Sequence, residues 1–139
     1  TELFKKSKEI VEQYLPVNIV KELHARGCTD GNTITLRKDR YVAMSGTLMH
    51  EFTHYLNHFG ENPKSQNQEE VEAEIGAMLY GSYFNLDISG KYKYIALWKS
   101  KDVRLDEAFD VALSSFEELL YGSMDKKGLI DLIEGKEEE

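Results

Sequence analysis

The sequence predicts an α+β fold, mostly helical, with one small antiparallel sheet. Apolar residues recur at helical spacing in several stretches, most clearly Tyr41 to Phe59, Gln68 to Phe84 and Leu105 to Leu120. A turn signal, Thr29-Asp30-Gly31-Asn32, precedes a short β-prone run, Thr33-Ile34-Thr35-Leu36. A chain of 139 residues, 41% hydrophobic and 30% charged, is long enough for a single domain with a real core.

Leu3, Phe4, Ile10, Val11, Tyr14 and Leu15 predict a first helix over about 2–14, stopped by Pro16. Ile19, Val20 and Leu23 suit a short helix within 17–26, with Gly27 as its C-cap, although that stretch is ambiguous. A strand over about 25–28 would pair with 33–36. The next helix, about 41–59, is apolar on most sides, as a buried central helix is, and Gly60 and Pro63 end it. After a polar loop, 61–67, a helix over 68–84 carries Val71, Ile75, Met78 and Leu79 on one face. Asn85 to Gly90 reads as a turn and Tyr92 to Lys99 as a shorter helix. Leu105, Phe109, Ala112, Leu113, Phe116, Leu119 and Leu120 define a long amphipathic helix, and a last short one covers about 125–134.

All of 1–139 reads as one domain: a core over about 25–120, an N-terminal helical segment 1–16 and an acidic tail 135–139. The net charge of −8 argues against nucleic-acid binding as the main role. Lys5, Lys6 and Lys8 alternate with Glu2, Glu9 and Glu12, the pattern of a solvated helix face. The longest apolar run, Ile75 to Phe84, is too short to span a bilayer. The single cysteine, Cys28, has no internal partner for a disulfide. Together with the lack of a leader-like start, this sets the expectation of a cytoplasmic protein. Cys28 is read as a small buried or half-exposed residue, with a metal-site thiol as the less favoured role.

Chemistry concentrates in His50-Glu51-Phe52-Thr53-His54, an HExxH pattern. Residues four apart share a helix face, so His50 and His54 can point ring nitrogens at one ion. Glu51 sits about 100° round the helix, placed to act as a base on water rather than as a ligand. Zinc lowers the pKa of the water it binds from about 15.7 toward about 7, within reach of such a base. The expected cofactor is therefore one zinc ion.

A catalytic zinc site needs a third protein ligand. The HExxHxxGxxH arrangement would require histidine at position 60, which is Gly60, and glycine at 57, which is Asn57, so it is excluded. His58 lies about 80° off the line of His50 and is a candidate to line the cleft or donate to substrate. The helix near 68 offers Glu69, Glu70, Glu72 and Glu74. Glu70 and Glu74 are one turn apart on one face. Glu70 is the expected ligand, Glu74 the carboxylate behind a zinc-bound histidine, and Glu69 and Glu72 are expected to face solvent.

Two blocks carry a resemblance: Gly46-Thr47-Leu48-Met49-His50-Glu51-Phe52-Thr53-His54-Tyr55 and Glu69-Glu70-Val71-Glu72-Ala73-Glu74-Ile75-Gly76-Ala77. With Tyr94-Ile95-Ala96-Leu97-Trp98 and Ile34-Thr35-Leu36, they resemble the zincin-like C-terminal domain of ArdC antirestriction proteins over about 25–120. The order of strand, HExxH helix and Glu-bearing helix is also similar to the ImmA/IrrE metallopeptidases. The resemblance implies zinc on His50, His54 and Glu70, with Glu51 as general base. ArdC-like proteins carry a single-strand-DNA-binding domain ahead of this region, whereas about 25 residues precede the strand here.

The leading expectation is thus a gluzincin-type zinc metallopeptidase acting on a peptide or protein, with strand 33–36 holding substrate by edge pairing. Tyr94, Tyr83 and His58 are candidates for contact with substrate or the oxyanion. The rival expectation is a zinc-bearing antirestriction or interaction module of a mobile element, with little or no proteolysis. A purely structural zinc site is the weaker third reading, since it has no use for Glu51.

Overall fold

In a computed structural model, residues 1–87 and 98–135 are described. The element order is α1 (Glu2–Val11), β1 (Val17–Val20), β2 (Gly27–Thr29), β3 (Ile34–Arg37), α2 (Tyr41–Asn57), α3 (Gln66–Tyr83), α4 (Leu105–Tyr121) and α5 (Leu129–Glu134). The architecture is α+β and mostly helical, as the periodicity predicts. The helix expected over 92–99 lies outside the described residues except for its end, and so does the second half of the turn expected at 85–90.

The sheet departs from expectation. It is mixed, in the order β1-β3-β2: β3 pairs antiparallel with β2 and parallel with β1. Residues 17–20 form a strand, although their spacing also suits a short helix. Three of the four, Val17, Ile19 and Val20, are β-branched and favour the pleated backbone. Their partner is β3, in register Val17↔Ile34 to Val20↔Arg37. That pairing is non-local, so helical spacing within 17–26 carries no trace of it.

Gly27 is correspondingly not a helix cap but the first residue of β2. A Cβ there would meet Thr47 Cγ2 of α2 at 2.6 Å, so glycine lets the strand lie against the helix. The β2–β3 turn forms where the sequence places it. Asp30 Oδ1 accepts from the backbone N–H groups of Asn32 and Thr33 at 2.8 and 2.9 Å, and Gly31 adopts φ +89°.

α2 is the hub. It packs on α1, α3, α4, β2 and β3. Met44, Leu48, Met49 and Phe52 join Ile10, Val11, Ile34, Leu36, Leu119 and Leu120 in one buried core. α3 begins at Gln66, two residues earlier than expected, because the Ser65 side chain caps it by accepting from Gln68 N at 3.1 Å. On α4 the buried side is Ala108, Ala112, Ser115, Phe116, Leu119 and Leu120. Leu105, Phe109 and Leu113 are among the exposed large apolar residues instead. Small side chains at 108 and 112 let α4 approach Val71 and Ile75 of α3 closely, and this sets the facing side.

Candidate metal centre

The site is made where α2 and α3 run closest. A Cβ added at Gly76 of α3 would lie 2.5 Å from Thr53 Oγ1 of α2, so only glycine permits this approach. Thr53 is itself fully buried and donates its hydroxyl back to Met49 O at 2.9 Å. The first turns of α3 are thereby held beside the histidine face of α2.

His50 and His54 sit four residues apart on α2 and turn their Nε2 atoms toward one carboxylate. His50 Nε2 lies 3.5 Å from Glu70 Oε1, and His54 Nε2 lies 3.0 Å from Glu70 Oε2. Donor atoms bound tetrahedrally at about 2.0–2.1 Å from one zinc ion stand roughly 3.3 Å apart. The measured separations bracket that figure. One atom from each of His50, His54 and Glu70 forms a group within 4.8 Å of one another, suited to hold a metal ion. Two imidazoles and one carboxylate are a donor set that zinc accepts.

The remaining nitrogen of His50 is also held. Its Nδ1 lies 3.3 Å from Glu74 Oε2, and Glu74 is buried, with no hydrogen-bond partner for Oε1 among the described residues. Burial opposes charge on His50, but hydrogen bonds to Glu70 and Glu74 and the nearby Glu51 outweigh it and lift its pKa to about 9. The same two histidines hold the Glu70 carboxyl well below the usual carboxylate range against the opposing effect of burial. A proton on His50 thus offsets the negative charge that Glu70, Glu74 and Glu51 place around it.

A cleft of about 860 Å³ opens over the group. Glu51 lines it and is buried, beside His50 and His54. Gly27, Cys28 and Thr29 of β2 also line it. β2 is an edge of the sheet, whereas β3 is the central strand and is paired on both sides. Substrate pairing by residues 33–36 is therefore overturned, and the sheet edge available to the cleft belongs to β2. Cys28 faces the cleft but stands outside the ligand group. Burial, with Glu51 and Asp30 adding to it, pushes its thiol pKa up, away from the thiolate that binds metals.

Other expected contacts change. Tyr83 lies at the end of α3, exposed, with its ring centroid 4.8 Å from Phe84 and 5.5 Å from Phe116, and it does not line the cleft. Tyr94 lies outside the described residues. His58 borders the cleft, but both its nitrogens are engaged: Nδ1 with His54 Nδ1 and Nε2 with Glu72 Oε1, each at 2.7 Å. It has no N–H to spare for substrate.

Glu72 is the largest correction, since it is fully buried rather than solvent-facing. Its carboxylate also receives Lys64 Nζ at 2.8 Å and Gln68 Nε2 at 2.9 Å. Burial would raise its pKa, but His58, Lys64 and Gln68 outweigh that and lower it. Gln68 and Glu72 are four apart on α3, a pair visible in the sequence, whereas Lys64 precedes the helix and reaches Glu72 from the segment before it. Glu69 is half-exposed and lines the cleft.

No family model, curated protein or solved structure matches this chain. No helix among the described residues is long and apolar enough to cross a membrane.

Proposed function

We propose that this chain is a zinc-dependent metallopeptidase domain of gluzincin type, akin to the domain of ArdC proteins that its motifs resemble. The observation that supports this most is the convergence of His50 Nε2, His54 Nε2 and the Glu70 carboxylate at the separations a tetrahedral ion needs, in a cleft that Glu51 also lines.

Zinc, when bound by those three residues, supplies a Lewis acid that makes water acidic enough to lose a proton near neutral pH. Glu51 takes that proton and returns it to the amine leaving group as the peptide bond breaks. Glu74 holds the Nδ1 side of His50, which keeps the ring's Nε2 turned into the cleft. The β2 edge, Gly27–Thr29, offers backbone groups against which an extended peptide can lie.

The test compares wild type with Glu51→Gln, each first shown to bind one zinc ion per chain. Peptide libraries and isolated proteins are then assayed for cleavage. The reading requires cleavage by wild type and a loss of about 10²–10⁴-fold in Glu51→Gln. If wild type loads zinc and cleaves nothing while Glu51→Gln retains full biological activity, the domain acts instead as a zinc-bearing antirestriction or interaction module.

A further inference from the structure

The histidine stripe of α2 does not stop at the two ligand candidates. His58, one turn beyond His54 at the C-cap of the helix, continues it toward α3. The chain of contacts runs His54 Nδ1 to His58 Nδ1 at 2.7 Å, then His58 Nε2 to Glu72 Oε1 at 2.7 Å. Its inner members are withdrawn from solvent: the His58 side chain is 3% exposed and that of Glu72 0%, against 13% for His54. Glu72 is clamped by Lys64 and Gln68, and Gln68 is anchored in turn by Arg104, whose backbone N–H donates to Gln68 Oε1 at 2.7 Å.

Counting donors gives this chain one polarity. A neutral imidazole carries one proton. When His54 Nε2 faces a cation, that proton must sit on Nδ1. The short nitrogen–nitrogen contact has room for one proton, so His58 Nδ1 accepts it. The proton of His58 then sits on Nε2 and needs an acceptor, which the Glu72 carboxylate supplies.

We infer that His58 and Glu72 are positioning residues for the metal centre: in series they fix His54 as its Nδ1–H tautomer and aim its Nε2 at the ion. His50 is held by a carboxylate directly, through Glu74, whereas His54 reaches its carboxylate through a second imidazole. Lys64 and Gln68 keep the far end in place. Lys64 belongs to the segment between α2 and α3, so that segment is tied to the orientation of a ligand. This inference rests on the zinc reading above.

The experiment measures zinc affinity of the full chain by competition with a chromophoric chelator, for wild type, His58→Phe and His58→Gln. Phenylalanine keeps the ring and removes both nitrogens. Glutamine keeps an acceptor for His54 Nδ1–H. The expected result is a loss of about 10–100-fold in His58→Phe, with His58→Gln recovering most of it. Long-range proton–nitrogen NMR on zinc-loaded, histidine-labelled wild type should place protons on Nδ1 of His54 and Nε2 of His58. An affinity in folded His58→Phe within twofold of wild type, or a proton on His54 Nε2 in the loaded protein, overturns the inference. If His58→Phe loses its cooperative melting transition, the wild-type NMR result decides alone. A wild type that takes no zinc overturns the zinc reading and the relay together, whereas equal binding by wild type and His58→Phe overturns only the relay.

Discussion

His50 Nδ1 lies 3.3 Å from Glu74 Oε2 while the Nε2 of the same ring faces Glu70 at 3.5 Å. One carboxylate therefore stands where an ion would share its ligand, and the other stands behind the ring and orients it. The two should respond differently to removal. Glu70→Ala should abolish tight zinc binding, and Glu74→Ala should weaken it by about 10–100-fold. Glu69→Ala should leave it within about twofold. Competition titrations on the three variants check the order. An unchanged affinity in Glu70→Ala would refute the ligand assignment.

The pKa of His50, lifted to about 9 from 6.5, gives a signed pH dependence. Its proton must leave before a metal binds, so zinc affinity should rise by roughly tenfold per pH unit between about pH 6 and 8. The metal-free protein should behave oppositely in that range. A group whose pKa is raised by folding adds stability that is complete below its ordinary value and lost as pH climbs toward about 9. Glu70, held below its ordinary 4.5, adds stability above that value and loses it in acid. Metal-free melting temperature should therefore peak between pH 4.5 and 6.5 as far as this cluster governs it. Thermal scans with and without chelated metal check both slopes, and a zinc affinity flat across that range would contradict the first.

Gly76→Ala tests the helix crossing. The new Cβ would sit 2.5 Å from Thr53 Oγ1 in a fully buried contact, so α2 and α3 must separate. Overpacking of this kind costs about 1–3 kcal/mol, which calorimetry would read as a melting temperature several degrees lower. Because the crossing also brings Glu70 to the histidines, zinc affinity should fall in the same variant.

Gly31→Ala provides the contrast. Gly31 holds φ +89° in the β2–β3 turn, and a Cβ there would also meet Phe59 at 2.9 Å. A loss of about 1–2 kcal/mol is expected from the left-handed backbone. Zinc affinity should stay within about threefold of wild type, since no ligand candidate moves. A chelator titration alongside the melting curve separates the two effects.

What could be read in advance follows the range of each interaction. His50 and His54 are four apart on one helix, and Glu70 and Glu74 four apart on another, so both pairings are local and show in the spacing. Strand β1 is not local. Val17–Val20 owes its conformation to Ile34–Arg37, which lies beyond a complete hairpin arm. Spacing alone puts Glu72 toward solvent, because it lies off the face that Glu70 and Glu74 share and a carboxylate is ordinarily exposed. Its burial depends on His58, Lys64 and Gln68 meeting it from two elements and the segment between them. On α4, Leu105, Phe109 and Leu113 obey helical spacing, yet close approach to α3 favoured Ala108 and Ala112. Periodicity finds a helix but does not choose between two apolar faces.

The most direct measurement is a crystal structure of the zinc-loaded protein with anomalous data at the zinc edge. A single peak is predicted, about 2.0–2.2 Å from Nε2 of His50, Nε2 of His54 and a carboxylate oxygen of Glu70. The carboxylate of Glu74 should remain on Nδ1 of His50. No peak in that cleft, or an ion held by other residues, would contradict the metal centre on which the proposed chemistry depends.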